Sequence, residues 1–187
     1  MNQVTQYPIT DSALRWLETL LAERFGQTFC ILRKNESVHL KILGAEGEII
    51  FDNSHSSLTH AHSDQPCAKW FAKKEGWESV VDEYLPAPGV KNLPSPLIEC
   101  NERHYVVHYD IIGLIYWMLT RIEEIGRKDL DKHQRFQAAS SHAHKYNYLH
   151  RPIIDEWILI LAQVIQRAWP QIELKQHRFQ IKLSHDV

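Results

Sequence analysis

The stretch "SHSSLTHAHSD" carries His55, His60, His62 and Asp64. If the chain is extended there, His60, His62 and Asp64 fall on one side, because side chains alternate along a strand. Imidazoles and a carboxylate so arranged suit zinc or a similar divalent ion, the kernel of a stand-alone metal-binding hydrolase. The competing reading is a polar loop in a chain with 12 histidines. His104 and His108 have H-x-x-x-H spacing, which joins two metal ligands only on a helix. The intervening Tyr-Val-Val favours a strand. A strand holds the pair ~13 Å apart, too far to share a metal. Trp70, Trp77 and Tyr84 recur at seven-residue intervals. On one continuous helix they make an aromatic face, either a core stripe or a sugar-stacking surface of a glycan-binding module. Gly76 weakens the helix this requires.

A further polar set spans two apolar segments. Trp117, Arg121 and Glu124 share a helical stripe, "DKHQRF" supplies Asp131, His133 and Arg135, and "RPIIDEW" supplies Asp155 and Glu156. Carboxylates in a first helical turn are favoured by the helix dipole. They can receive Arg121 or Arg135 in charge-assisted bonds. The expectation is a structural ion network of Arg121, Glu124, Arg135, Asp155 and Glu156 tying helix, loop and helix together. There is no G-x-S-x-G, no P-loop and no glycine-rich dinucleotide turn.

The elements that must position these residues are legible in outline. Residues 11–25 have helical periodicity, with Ala13, Trp16, Leu17, Leu20 and Leu21 on one stripe. Thr10, Asp11 or Ser12 can cap the start and Gly26 the exit. "TFCIL", "VHLKI" and "IIF" follow as three short strands, a meander. Residues 67–84 have apolar residues at helical spacing, and 85–96, with four prolines, should be extended and irregular. "HYVVHY" at 104–109 reads as a strand. Two long buried helices are expected in the C-terminal half. One runs from Asp110 to Gly126, and the other begins at Pro152 and is closed by Pro170. Between them, 127–150 is polar and mostly non-helical. The class is α+β or α/β, short strands with several packed helices, ending in an orphan strand.

Composition bounds the function. Lys plus Arg numbers 21 against 23 Asp plus Glu, a balance that gives no support for broad nucleic-acid binding and leaves room for local basic patches. Cys30, Cys67 and Cys100 form no C-x-x-C pair, which argues for a reducing compartment without zinc or disulfides. The start lacks a signal-peptide pattern. The apolar run at 111–119 is far below the ~20 residues that span a bilayer. A soluble, cytoplasmic chain with no membrane span is expected.

The ordered set "YDIIGLIYWMLTRIEEI", "DKHQRF", "YLHRPIIDEW" and a strand ending "SHDV" resembles the N-terminal domain preceding certain bacterial polysaccharide deacetylase-like catalytic domains. The resemblance covers 104–187 and reaches the first hundred residues only in layout. It implies an accessory domain at 1–176 and, at 177–187, the first strand of a truncated deacetylase domain. In that family the first core strand ends in two aspartates at i and i+2. The first is the general base, and the second joins a later H-x-x-x-H pair on a divalent metal such as zinc. By that resemblance Asp186 is the general base of an incomplete site. The parent would hydrolyse N-acetyl groups of a glycan, while this chain holds no metal and is inactive. Its partners would be the catalytic deacetylase domain in cis and a glycan.

Overall fold

Thr10 opens the first helix, α1 (Asp11–Phe25), by accepting a hydrogen bond from the Ala13 amide at 3.3 Å. Gly26 closes it at a left-handed φ of 73°. Leu14, Leu17, Leu21 and Phe25 are buried, whereas Trp16 is 40% exposed. The inward stripe is therefore rotated from the one expected: it runs through Leu14 and Phe25 and leaves Trp16 at its margin.

The computed structural model describes residues 9–35, 37–52, 57–81, 84–101, 104–177 and 181. The expected meander is present as β1 (Phe29–Lys34), β2 (Ser37–Ile42) and β3 (Glu48–Phe51), each antiparallel to the next. Two further strands are β4 (Cys67–Trp70) and β5 (Leu85–Pro88), which pair with each other as a separate antiparallel ribbon. After them come β6 (Ile98–Asn101) and β7 (His104–Val107). The main sheet has the order β1-β2-β3-β7-β6, with β7 parallel to β3 and the other neighbours antiparallel. Three helices follow: α2 (Ile111–Leu119), α3 (His142–Lys145) and α4 (Ile153–Ala168). The class is α+β.

Strand alternation sorts the sheet into two faces. Val38, Leu40, Ile49, Phe51 and Val107 point into the core, where α1 and α4 pack with Leu17, Leu21, Ile160 and Val164 fully buried. Lys34, His39, Lys41 and Glu48 occupy the opposite face.

Two expected helices are altered. The helix starting at Asp110 stops at Leu119 instead of reaching Gly126. The Thr120 hydroxyl turns back onto the Tyr116 carbonyl at 2.6 Å, and Arg121 adopts a left-handed φ of 56°. This kink turns Ile122, 2% exposed, back into the core. Residues 67–84 form no continuous helix. Gly76, at φ 76°, ends a short 3-10 turn (Ala72–Glu75) after β4, and β5 follows in the proline-rich segment. All four residues of β5 are buried, so "LPAP" is extended as expected but forms a regular, inward-packed strand. Among the described residues no helix is long and apolar enough to cross a membrane.

Candidate functional site

The segments carrying the resemblance fold as a set of polar staples around α2 and α4. Arg121, past the end of α2, forks onto Glu124, with Nε 2.7 Å from Oε1 and Nη2 2.5 Å from Oε2. The Asp131 carboxylate accepts from the amides of His133 (2.8 Å) and Arg135 (2.9 Å) and from Arg135 Nε (3.0 Å). This locks "DKHQR" as an aspartate turn between the bridged Leu130 and Phe136. Arg151 holds Glu156 in a bidentate pair whose side chains are only 9% and 3% exposed, and its Nη1 donates to the Tyr84 carbonyl at 2.9 Å. Asp155, one residue earlier, faces outward to Arg24 at 3.2 Å.

The expected single network is thus resolved into separate pairs. Arg121 and Arg135 reach carboxylates within four residues, while Asp155 and Glu156 take Arg24 and Arg151. The helical break at Arg121 explains this, since it turns that side chain away from α4. Arg151 was missed because it precedes the helix; its signal was a lone cation five positions ahead of a glutamate on the apolar face of α4.

Beneath the staples lies a buried knot that sequence reasoning did not find. His142, fully buried, places Nε2 3.1 Å from the Gln65 carbonyl and Nδ1 2.5 Å from the Tyr148 hydroxyl. A carbonyl can only accept, so Nε2 carries the proton and Nδ1 accepts from Tyr148. Burial lowers the His142 pKa to about 4 and pushes the Tyr148 hydroxyl up, so both groups are neutral. Glu123 accepts from the Ser63 hydroxyl at 2.5 Å and from the His142 amide, and Arg127 bridges Ser63 to Asp129. Nearby, burial lifts the Cys67 thiol to about 12 and so suppresses its nucleophilic form. Every polar group of the His142–Tyr148 pair is spent internally, and the arrangement organises loops.

The other sequence candidates fare differently. His60 and His62 stack loosely, ring centroids 6.0 Å apart, with burial and then the neighbouring His62 lowering the His60 pKa. The His62 Nδ1 accepts from the Asp64 amide, and the Asp64 carboxylate faces Lys145 at 3.8 Å. Among the described residues no three of His, Cys, Asp and Glu come together as a metal site, and His55 lies outside them. His104 lies on β7 and His108 just past it, where His108 Nδ1 meets Asp52 at 2.7 Å and Nε2 stands 3.6 Å from Glu99. Trp70 and Trp77 are 3% and 5% exposed, Trp70 stacking on Trp157 at 5.4 Å. Of the two readings of this spacing, both tryptophans follow the core one, pointing inward from different elements, Trp70 on β4 and Trp77 just past the 3-10 turn. Asp186 lies outside the described residues.

One constellation has the order of a catalytic triad. Ser37 Oγ is 2.9 Å from His39 Nε2, and His39 Nδ1 is 3.1 Å from Glu48 Oε2 but out of hydrogen-bond alignment. The Ser37 hydroxyl, however, donates its one proton to the Lys34 carbonyl at 2.9 Å. His39 must then donate to Ser37, the reverse of the polarity that makes a serine nucleophilic. Lys34 and Lys41 also hold Glu48, at 3.8 and 3.3 Å. The group is a polar clasp on the outer sheet face.

Among the described residues, two surface clefts lie near these elements. One, about 380 Å³, runs between β4 and residues 91–95. The other, about 400 Å³, lies between α4 and the chain after it, lined by Val80, Leu159, Ala162 and Leu174 among others. That following chain is fastened to the end of α1. The Lys175 amide donates to the Phe25 carbonyl at 2.9 Å, Gln27 Nε2 to the Glu173 carbonyl at 2.8 Å, and His177 Nε2 to the Arg24 carbonyl at 2.7 Å.

Neither the curated proteins nor the solved structures contain a match to the chain. A family model does match, over residues 16–170, from the first turns of α1 through the end of α4. The staples, the His142 knot and the buried core apart from Ile9 and Leu14 fall within that span, and the chain belongs to this family of unknown function, DUF7033.

Proposed function

We propose that this chain is the non-catalytic N-terminal domain of a polysaccharide deacetylase-like protein whose catalytic part removes N-acetyl groups from a glycan with the help of a divalent metal. The observation that supports a non-catalytic role is where the motif residues spend their charges. Arg121, Asp131, Arg135, Arg151 and Glu156 bind one another, Glu124 or backbone groups, and none of them lines either of the two clefts described above. These residues then serve the folding of the domain, with their charges taken up inside it. In this reading the domain packs on the catalytic domain and shapes its groove or its assembly in the cytoplasm. The chain beyond α4, pinned to α1 through Lys175, sets where residues 177–187 begin the first catalytic strand. Asp186 is the general base there, and the second aspartate and the metal-binding histidine pair come from downstream sequence.

The test is acetate release from N-acetylated chitooligosaccharide in the presence of zinc. The purified chain should release none. A longer protein that continues past Val187 with an aspartate and a later H-x-x-x-H should release acetate and lose that activity with chelator. Metal-dependent acetate release by the chain alone overturns the proposal.

A further inference from the structure

The ribbon made by β4 and β5 leaves one strand edge bare. The Pro86 carbonyl accepts from Trp157 Nε1 at 2.8 Å and the Pro88 carbonyl from the Tyr109 hydroxyl at 2.9 Å, so both residues face away from β4. In an antiparallel pair successive residues face opposite sides. Leu85 and Ala87 therefore bond to β4, and their partners are Trp70 and Ala68. Cys67 and Lys69 then turn their amides and carbonyls to the free side. Before them the Gln65 carbonyl is taken by His142, and after them the Phe71 carbonyl is taken by the Lys74 amide. The unpaired window is Cys67 to Lys69, and its Lys69 end opens on the 380 Å³ cleft, whose lining on this side runs from Ala68 to Phe71.

The charge around this window is mainly positive, three ammonium groups against one carboxylate. Lys69, Lys74 and Lys91 line the cleft, and none has a carboxylate partner among the described residues. Lys69 Nζ rests 4.2 Å from the Tyr84 ring centre and Lys74 Nζ 4.6 Å from that of Phe71. The one carboxylate in the lining, Glu75, is consumed by Trp70 Nε1 (3.1 Å), the Leu97 amide (2.8 Å) and the Ser95 hydroxyl (2.9 Å). Phe71 is 44% exposed beside it. Lysines on a bare edge repel a second copy of the same edge, which disfavours self-pairing. They attract a strand of opposite charge.

We propose that this cleft binds an extended acidic peptide segment of a partner protein, which adds to β4 as a third strand. Its backbone bonds to Cys67 and Lys69. Alternate acidic side chains meet the three ammonium groups, and the apolar side chains between them cover Phe71 and Leu93. This goes beyond the accessory-domain reading and stands without it.

The probe is an end-labelled hexapeptide alternating glutamate and valine, followed by fluorescence anisotropy. It should bind at low salt, and the lysine–valine counterpart should not. The K69E/K91E variant, altered only at exposed side chains and checked for an unchanged Tm, should lose about tenfold or more in affinity. Methylating alternate amide nitrogens of the peptide leaves its charge intact and should weaken binding as strongly, because strand addition needs those N–H groups. Equal binding of the lysine peptide, full affinity of the N-methylated peptide, or equally tight binding of tetragalacturonate would each overturn the proposal.

Discussion

Asp110 and Gly113 are fitted to each other so closely that a change at either disturbs the cap of α2. The buried Asp110 carboxylate caps α2 by accepting from the Gly113 amide at 2.7 Å, and a Cβ on residue 113 would stand 2.2 Å from Asp110 Oδ2. Alanine is ordinarily the better helix former by about 1 kcal/mol. Here Gly113→Ala should destabilise the protein instead, because the methyl displaces the cap. Asp110→Ala should cost about 1–2 kcal/mol from the lost cap. Urea unfolding of both variants checks this; a more stable G113A would refute the fit.

Arg151 and Arg121 separate a buried pair from an exposed one. Arg151→Ala leaves Glu156 charged and 4% exposed without its partner. A cost of about 3–5 kcal/mol is expected. Arg121, 71% exposed in its side chain, pairs with Glu124 at the surface, and Arg121→Ala should cost about 1 kcal/mol or less. Chemical denaturation of the two variants gives the ranking directly, and comparable losses would contradict it.

His142 makes the fold sensitive to acid. Its folded pKa, about 4, lies below the ordinary value of 6.5, because burial disfavours the imidazolium. The unfolded chain therefore binds the proton more readily. Stability from this group is complete above about pH 6.5, falls as the pH drops toward 4, and levels off below that. The whole loss is about 3 kcal/mol at 1.36 kcal/mol per pH unit. His142→Gln should flatten that part of the stability–pH curve, measured as urea midpoints from pH 7.5 to 4. An unchanged slope would show that the histidine titrates normally.

Glu75 is the anchor of the segment facing β4. Glu75→Gln removes the charge behind its bonds to Trp70, Ser95 and Leu97. It should lower stability by about 1–2 kcal/mol, since hydrogen bonds to a charged acceptor are worth roughly that. Amide exchange around Leu97 should speed up while that of α4 keeps its protection. Uniform acceleration throughout the chain would mean that the anchor is global.

What was legible in the sequence was local chemistry repeated along an element. The Thr10 and Gly26 signals bounded α1, and alternation in "VHLKI" placed Val38, Leu40 and Ile42 inward. What escaped depended on distant partners. Nothing within "HAHK" says that His142 meets a carbonyl 77 positions earlier, and nothing within "LPAP" says that Trp157 and Tyr109 wait for its carbonyls. Spacing also misled where the element was another one: Trp70 lies on β4 and Trp77 beyond the 3-10 turn that Gly76 closes, and Arg121 ended the helix that would have aimed it at α4. The expectation sent Arg121 toward the carboxylates of α4, whereas its partner is Glu124, three residues away.

The parallel pairing of β3 with β7 has a consequence for how the chain acquires its structure. Glu48 sits opposite His104, so the strands that join there are separated by the whole β4–β5 ribbon. The α1–β1–β2–β3 unit is built from contacts close in sequence and can assemble first, whereas closing the β3–β7 seam must wait for a long loop to be ordered. The seam is the late step of folding. Until it closes, β3 presents a bare apolar edge, and during synthesis that edge is exposed for as long as the ribosome takes to deliver β7.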